Sequence, residues 1–187
     1  MRVWFTSDTH FFHKNIIKYC PTYRGHFRDE NEMTGYLVSV WNERVGRDDL
    51  VFHLGDVALG NPQRAIEVLR CLNGMKVLVK GNHDTRLLTY RAFVNIWEGI
   101  YDAYTEIEID DIPIILSHHP MSKWDKMEEG AYHLHGHAHG NHMNRETGRR
   151  MDVGVDTRKD LAPWSWEEIH ERLSERPMGV GVRDLFP

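Results

Sequence analysis

Three short apolar runs in the N-terminal half of the chain each stop at a polar cluster. Val3–Thr6 ends in Ser7-Asp8-Thr9-His10, residues 50–54 end in Gly55-Asp56, and Met75–Val79 ends in Gly81-Asn82-His83-Asp84. Brief apolar runs bounded by Gly, Asp and Asn read as buried strands. The stretches between them have helical character. Residues 30–45 place Met33, Leu37, Val40 and Trp41 on one stripe, and residues 62–72 carry Pro62 in the first turn with Gly74 just past the end. Residues 84–96 are expected to be helical too. This βαβαβα order belongs to α/β sheets, in which ligands bind in the crevice outside the carboxyl ends of the strands.

The second half is richer in strands. Residues 103–109 and Ile112–Ser117 flank Asp110-Asp111, a hairpin signal, and Tyr132–His135 and residues 151–155 are two more apolar runs. Ser165 and Glu168 form an S-x-x-E capping box that opens an amphipathic helix, and Trp164 and Trp166 are expected to pack against a sheet. Without repeats, low-complexity segments or linkers, the 187 residues suit a single domain over 1–187. A net charge of -5 argues against a general nucleic-acid binder, so no stable nucleic-acid partner is expected. Cys20 and Cys71 lack any metal or redox spacing and are read as a packed or idle thiol. The chain opens directly on a strand-like run, and its apolar segments fall short of the roughly 20 residues that span a bilayer. A cytoplasmic location without membrane contact is therefore expected; the sequence leaves the oligomeric state open.

The polar clusters at the strand ends carry the chemistry. His118 follows the 112–117 run, and His137 and His139 follow the 132–135 run, so they join Asp8, His10, Asp56, Asn82 and His83 on one rim. Carboxylates, imidazoles and an amide without a thiolate suit divalent metals of borderline hardness: Mn, favoured here, or Fe, Zn, Co or Ni. The inventory is large enough for two ions, which need a shared bridge to sit roughly 3.5–4 Å apart. Asp56, on a central strand, is the best-placed bridge. Residues 137–142 nearly spell the H-x-H-x-D-H motif of metallo-β-lactamase-like hydrolases, but Asn141 stands where that motif needs an acid.

The ordered series D-x-H (Asp8, His10), G-D (Gly55, Asp56), G-N-H-D (81–84), H (His118) and G-H-x-H (Gly136, His137, His139) resembles the calcineurin-like metallophosphoesterase family. The resemblance implies a four-layer αββα sandwich of two packed mixed sheets flanked by helices, with a dinuclear metal site. It implies that Asp8, His10 and His139 bind one ion, that Asn82, His118 and His137 hold the other, and that Asp56 bridges. His83 would then act on the phosphoryl group or the leaving oxygen as the catalytic residue. His118 is preferred to His119 because it lies two residues before Pro120, with His119 as the fallback. His133 and His135 are expected to be packed on their strand, and His142 to be solvated.

Two ions would turn a shared water into the nucleophile and clamp the phosphoryl oxygens. A small phosphodiester of nucleotide type is the favoured substrate, because the chain reads GDVALGNPQ where related phosphoprotein phosphatases carry Asp-Arg-Gly. A phosphomonoesterase, including a protein phosphatase, is the alternative, followed by a non-catalytic interaction module of the same fold. The segment after the first ligand pair mixes basic and aromatic residues. His13 and Arg24 are its candidate substrate contacts, with Tyr19 and Tyr23 among the rings that could stack a base. The second carboxylate of the G-N-H-D block, Asp84, either orients His83 or caps the following helix.

Overall fold

The computed structural model, which describes residues 1–141 and 148–178, divides its strands between two sheets. In chain order the elements are β1 (Val3–Thr6), α1 (Ile16–Tyr19), α2 (Pro21–Arg24), α3 (Glu30–Arg44), β2 (Leu50–His53), α4 (Pro62–Cys71), β3 (Met75–Val79), α5 (Arg91–Val94) and β4 (Gly99–Tyr101). There follow β5 (Tyr104–Ile109), β6 (Ile112–Ser117), β7 (Tyr132–His135), β8 (Arg150–Asp152), β9 (Trp164–Ser165) and α6 (Trp166–Ser174). The first sheet has the order β4-β3-β2-β1-β9, parallel except for β9. The second has the order β5-β6-β7-β8, with β5 and β6 antiparallel and the rest parallel.

Alternation within each strand decides which core a side chain enters, because successive residues point to opposite faces. Trp4, Val51 and Leu78 join Leu37 and Trp41 of α3 and Ile66 and Leu69 of α4. Phe5, Phe52, Val77 and Val79 point the other way and meet Ile114, Leu116, Tyr132 and Leu134 of the second sheet. A sheet covered on both faces reads as a continuous apolar run, as β1 to β3 do. Trp164 and Trp166 enter the core between the sheets with Ile169 and Leu173 of α6. The outer face of the second sheet is covered by residues 121–131, where Ile115 packs with Trp124, Met127 and Ala131. Two mixed sheets packed together and flanked by helices are thus the architecture. Among the described residues no helix is long and apolar enough to cross a membrane.

The caps act as their residue types require. Asp29 accepts from the backbone N–H groups of Asn31 and Glu32 at the start of α3, and Asn61 does the same for Gln63 ahead of Pro62 in α4. The Ser165–Glu168 capping box opens α6. Asp110 and Asp111 both have positive φ (54° and 61°), the geometry of a tight two-residue hairpin. Residues 84–96 depart from expectation: they form a 3-10 turn at Leu87–Thr89 and the short α5, separated by Tyr90 in extended backbone. Leu87 and Phe93 are both buried. On one continuous helix they would lie about 120° apart, so the break lets both reach the core.

In-register pairing positions the site. Thr6 lies opposite His53 and His53 opposite Leu78, so β1, β2 and β3 end at nearly one level. The loops that follow therefore emerge side by side. A parallel bridge between Ser7 and Gly154 brings the chain after β8 to the same rim.

Candidate metal centre

The backbone at this rim is strained where the candidate residues sit. Asp8, His10, Asp56, His137 and His139 all have φ between 46° and 66°. Left-handed backbone costs a non-glycine residue roughly 1–2 kcal/mol, and such strain collects at functional sites. Close packing over-determines it. A Cβ on Gly55 would overlap the backbone of Gly81, and one on Gly136 would overlap Ser7 and Asp8. The glycines of the G-D, G-N-H-D and G-H-x-H blocks are therefore where loops touch.

Buried polar groups hold these loops. The Asp84 carboxylate, fully buried, accepts from the backbone N–H groups of Asp56 (3.0 Å), Val57 (2.9 Å) and Gly81 (2.8 Å). It neither orients the His83 ring nor caps a helix; it staples two ligand-bearing loops together. His53 takes one neutral tautomer. Its Nε2–H donates to Thr9 Oγ1 (2.9 Å), whose hydroxyl donates to the Val57 carbonyl, while Nδ1 accepts from the Gly55 N–H. Burial pushes His53 down to about 3, so it stays uncharged.

The candidate ligands converge in groups whose donor atoms lie within 4.8 Å of one another. Asp8, His10 and His139 form one, Asp8, Asp56 and His118 a second, and His118, His119 and His137 a third. Asp56 Oδ2 is 3.6 Å from His10 Nε2 and 3.5 Å from His118 Nε2. His118 hydrogen-bonds the Leu54 carbonyl through Nδ1 (2.7 Å) and Asn82 Oδ1 through Nε2 (2.9 Å). The His119 ring packs at a tilt against His137, with ring centroids 4.2 Å apart. Both members of the 118–119 pair thus reach the third group, but His118 is the one beside Asp56.

The donor set fits a cation. Asp8 Oδ1 and both ring nitrogens of His10 are buried without a hydrogen-bond partner. Orphaned buried acceptors are costly, and a cation among them removes that cost. Burial pushes Asp8 up to about 7 despite the attraction of His139 and His118. Burial also raises Asp56, but the hydrogen bond and charge of His118 and the His83 N–H outweigh it and hold the carboxyl below its usual range. Burial, then the Arg24 charge, keeps His10 well below its ordinary value. Burial, then His119 and His118, brings His137 down to about 4. Both imidazoles therefore keep the neutral form that binds metals.

His139 is fixed from behind. Its Nδ1 donates to Asp156 Oδ2 (2.6 Å), and Nε2 lies 3.9 Å from Asp8 Oδ1. Burial would lower His139, but the hydrogen bonds of Asp156 and Cys20 and the Asp8 charge raise it to about 10. Asp156 in turn takes a bidentate pair from Arg24, Nε to Oδ1 at 2.7 Å and Nη2 to Oδ2 at 2.6 Å. Arg24 also donates to the carbonyls of Thr9 and Asp8. Arg24 was expected to meet substrate, and the structure corrects this. It is 0% exposed, and its guanidinium faces a buried carboxylate and two carbonyls. Asp156 went unnoticed in the sequence, although it follows the apolar run 151–155 just as Asp8 and Asp56 follow theirs. Cys20 is buried with its sulfur in one group with His139 and Asp156, while Cys71 is exposed.

A 450 Å³ pocket opens over the centre, lined by His10, His13, Asp56, His83, His137 and His139, with Tyr19 at its mouth. His83 donates its backbone N–H to Asp56 Oδ1 (2.9 Å), and its half-exposed ring puts Nε2 3.9 Å from Asp56 Oδ2. His13 contacts His10 ring to ring at 5.3 Å. His133 is packed away from the pocket, with Nδ1–H donating to Ile115 O (3.1 Å) and Nε2 accepting from the Met121 N–H (3.0 Å). His135, on the same strand, is buried with Nδ1 2.9 Å from the Gly136 carbonyl. His142 lies outside the described residues.

A metal-fitting donor set under an open pocket, at the carboxyl ends of parallel strands, matches a known family. The sequence model of calcineurin-like phosphoesterases covers residues 1–141. The chain belongs to the calcineurin-like phosphoesterase family. It is 34% identical over 145 residues to protein MJ1445 of Methanocaldococcus jannaschii, covering 76% of this chain and 72% of that one. It is 27% identical over 209 residues to the gene 66 protein of Mycobacterium phage D29, covering 95% and 98%. The solved structure of AQ665 from Aquifex aeolicus superposes with a TM-score of 0.71 at 26% identity, over 91% of this chain and 98% of that one. Family membership makes this phosphoesterase a metal-dependent hydrolase of phosphoric esters, and the convergent donor groups are where divalent ions fit.

Proposed function

We propose that this phosphoesterase is a phosphodiesterase with a dinuclear centre, built in one domain. Asp8, His10 and His139 hold one divalent ion, Asn82, His118 and His137 the other, and Asp56 joins them, with Mn the favoured metal. One observation carries the reading: Asp56 Oδ2 is nearly equidistant from His10 Nε2 (3.6 Å) and His118 Nε2 (3.5 Å), the place of a shared ligand. Bound ions would supply an activated water and charge neutralisation for in-line displacement.

The protein's own groups orient and protonate. His83 Nε2, facing the pocket beside Asp56, holds the proton that the departing oxygen needs. His13 lines the same pocket and meets the ester. Preference for a diester is supported by charge: among the described residues, those lining the pocket include no Lys or Arg. A dianionic monoester would lack a charged clamp there, and a monoanionic diester needs it less. The test is a Mn-reconstituted panel. Bis-nitrophenyl phosphate is expected to be cleaved with higher kcat/KM than nitrophenyl phosphate; a clear preference for the monoester overturns the reading.

A further inference from the structure

The pocket over the centre is the first of three hollows that adjoin through shared lining residues. It shares Tyr19, Cys20, His139 and Asn141 with a smaller hollow over α1 and α2. That hollow shares Tyr23 with a third cavity of 340 Å³. The far cavity differs in charge. Arg158, Lys159, Arg172 and Arg176 line it with a single acid, Asp152, although the whole chain carries -5. Two of these cations are engaged: Arg158 with Asp160 and Glu168, and Arg176 with the Arg150 carbonyl. Lys159 and Arg172 are exposed and make no ion pair among the described residues. The Arg172 guanidinium lies 4.6 Å over the Trp164 ring, which fixes it at the cavity wall.

Rings mark the path between the two ends. Tyr19 is 70% exposed at the mouth of the metal pocket, edge-on to His13, and half-buried Tyr23 borders both the hollow and the far cavity. Accessible aromatic rings, here one exposed and one half-buried, followed by cations without an ion pair are the combination that binds single strands, in which bases stack and phosphates need counter-charge.

We propose that these three adjoining hollows form the track of a short single-stranded oligonucleotide: its scissile diester lies at the metal centre, its bases stack on Tyr19 and Tyr23, and a distal phosphate meets Arg172 and Lys159. The inference rests on the phosphodiesterase reading and names its substrate class. It also accounts for the charge distribution. The negative chain as a whole does not attract nucleic acid, and the cations needed for a second phosphate are gathered at the end of the track.

The test compares thymidine dinucleotide, which has one phosphate between its sugars, with thymidine hexanucleotide and with bis-nitrophenyl phosphate. Wild-type protein and the Lys159→Gln/Arg172→Gln variant are assayed side by side. In the wild type, kcat/KM is expected to rise about tenfold or more from dinucleotide to hexanucleotide. The variant is expected to lose that gain while cleaving the dinucleotide and bis-nitrophenyl phosphate as before. Binding of a labelled hexanucleotide in EDTA, read by anisotropy, should weaken in the variant. Its log–log salt slope should fall by about 1.4, for two contacts at roughly 0.7 each. Tyr23→Ala should weaken the same binding about tenfold. Length-independent kcat/KM, or equal losses on all three substrates, overturns the track. Cleavage of bis-nitrophenyl phosphate without binding of the hexanucleotide sinks the track and leaves the diesterase reading standing. Arg172-dependent hexanucleotide binding with no diester cleaved by the wild type does the reverse.

Discussion

The two sides of the candidate centre are built differently. On one side Asp8 and His10 are 0% and 2% exposed, and His139 is fixed through Asp156 to the buried Arg24, which also grips the Asp8 and Thr9 carbonyls. On the other side only His118 is buried; Asn82, His119 and His137 face solvent. Among the described residues, the second-side ring tied to backbone by a close hydrogen bond is His118, through the Leu54 carbonyl at 2.7 Å. A donor set held by burial, with His139 oriented by its carboxylate partner, binds its ion without reorganising, whereas exposed side chains must be ordered on binding. The first position is thus expected to bind tightly, and the second to exchange readily and to meet the substrate.

The sharpest division between chemistry and metal binding lies at His83, on the open side. His83→Ala is expected to lower turnover roughly 10²–10⁴-fold, the range for a general acid, with metal content unchanged. The loss should be large for an alkoxide leaving group and small for nitrophenolate, which departs without a proton. Metal loss in parallel with activity, read by elemental analysis, would make His83 a ligand or a prop.

Asp156→Asn probes the locked side. It should loosen the first ion about 10–100-fold, as removal of a ligand's orienting partner does, and leave the second nearly unaffected. It also leaves the buried Arg24 guanidinium without its counter-charge, a change that destabilises by about 3–5 kcal/mol when one partner of a buried pair is removed. Metal titration and urea unfolding measure the two effects. Equal weakening of both ions would erase the asymmetry.

A smaller effect separates ligand-type histidines from packed ones. Burial, then the nearby His135, pushes His133 down from its ordinary 6.5 to about 3. The unfolded chain therefore takes up a proton between those values that the folded one refuses. His133 stabilises fully above pH 6.5, and its contribution falls as pH drops from 6.5 toward 3, with a slope of up to ~1.4 kcal/mol per pH unit. Urea midpoints in EDTA should decline over this window and decline less in His133→Gln. An unchanged pH profile would show that His133 is charged in the folded protein.

Much of this was legible from the strand ends, because ligands in such sheets follow strands and the strands were marked by their apolar runs. The hairpin, the three long helices and the capping box were visible through local chemistry. Residues that act across the chain were not. Arg24 reads as a solvent-facing base in a polar loop because its partner Asp156 lies 132 positions away. Asp84 looked like a helix cap because the backbone groups it staples, at Asp56 and Val57, come from another strand's loop. β4 and β9, three and two residues long, are too short for any periodicity to register. The break at Tyr90 follows from where Leu87 and Phe93 must point, which only the packed core decides.

Titration of Mn into chelated protein, followed by electron paramagnetic resonance, tests the central claim most directly. Two ions per chain are expected, the first tight and the second weaker, with a magnetically coupled pair signal growing in with the second. Asp56→Asn should abolish the coupling and weaken both ions. Saturation at one ion, two uncoupled signals, or an Asp56→Asn variant that titrates like the wild type would contradict a centre joined at Asp56.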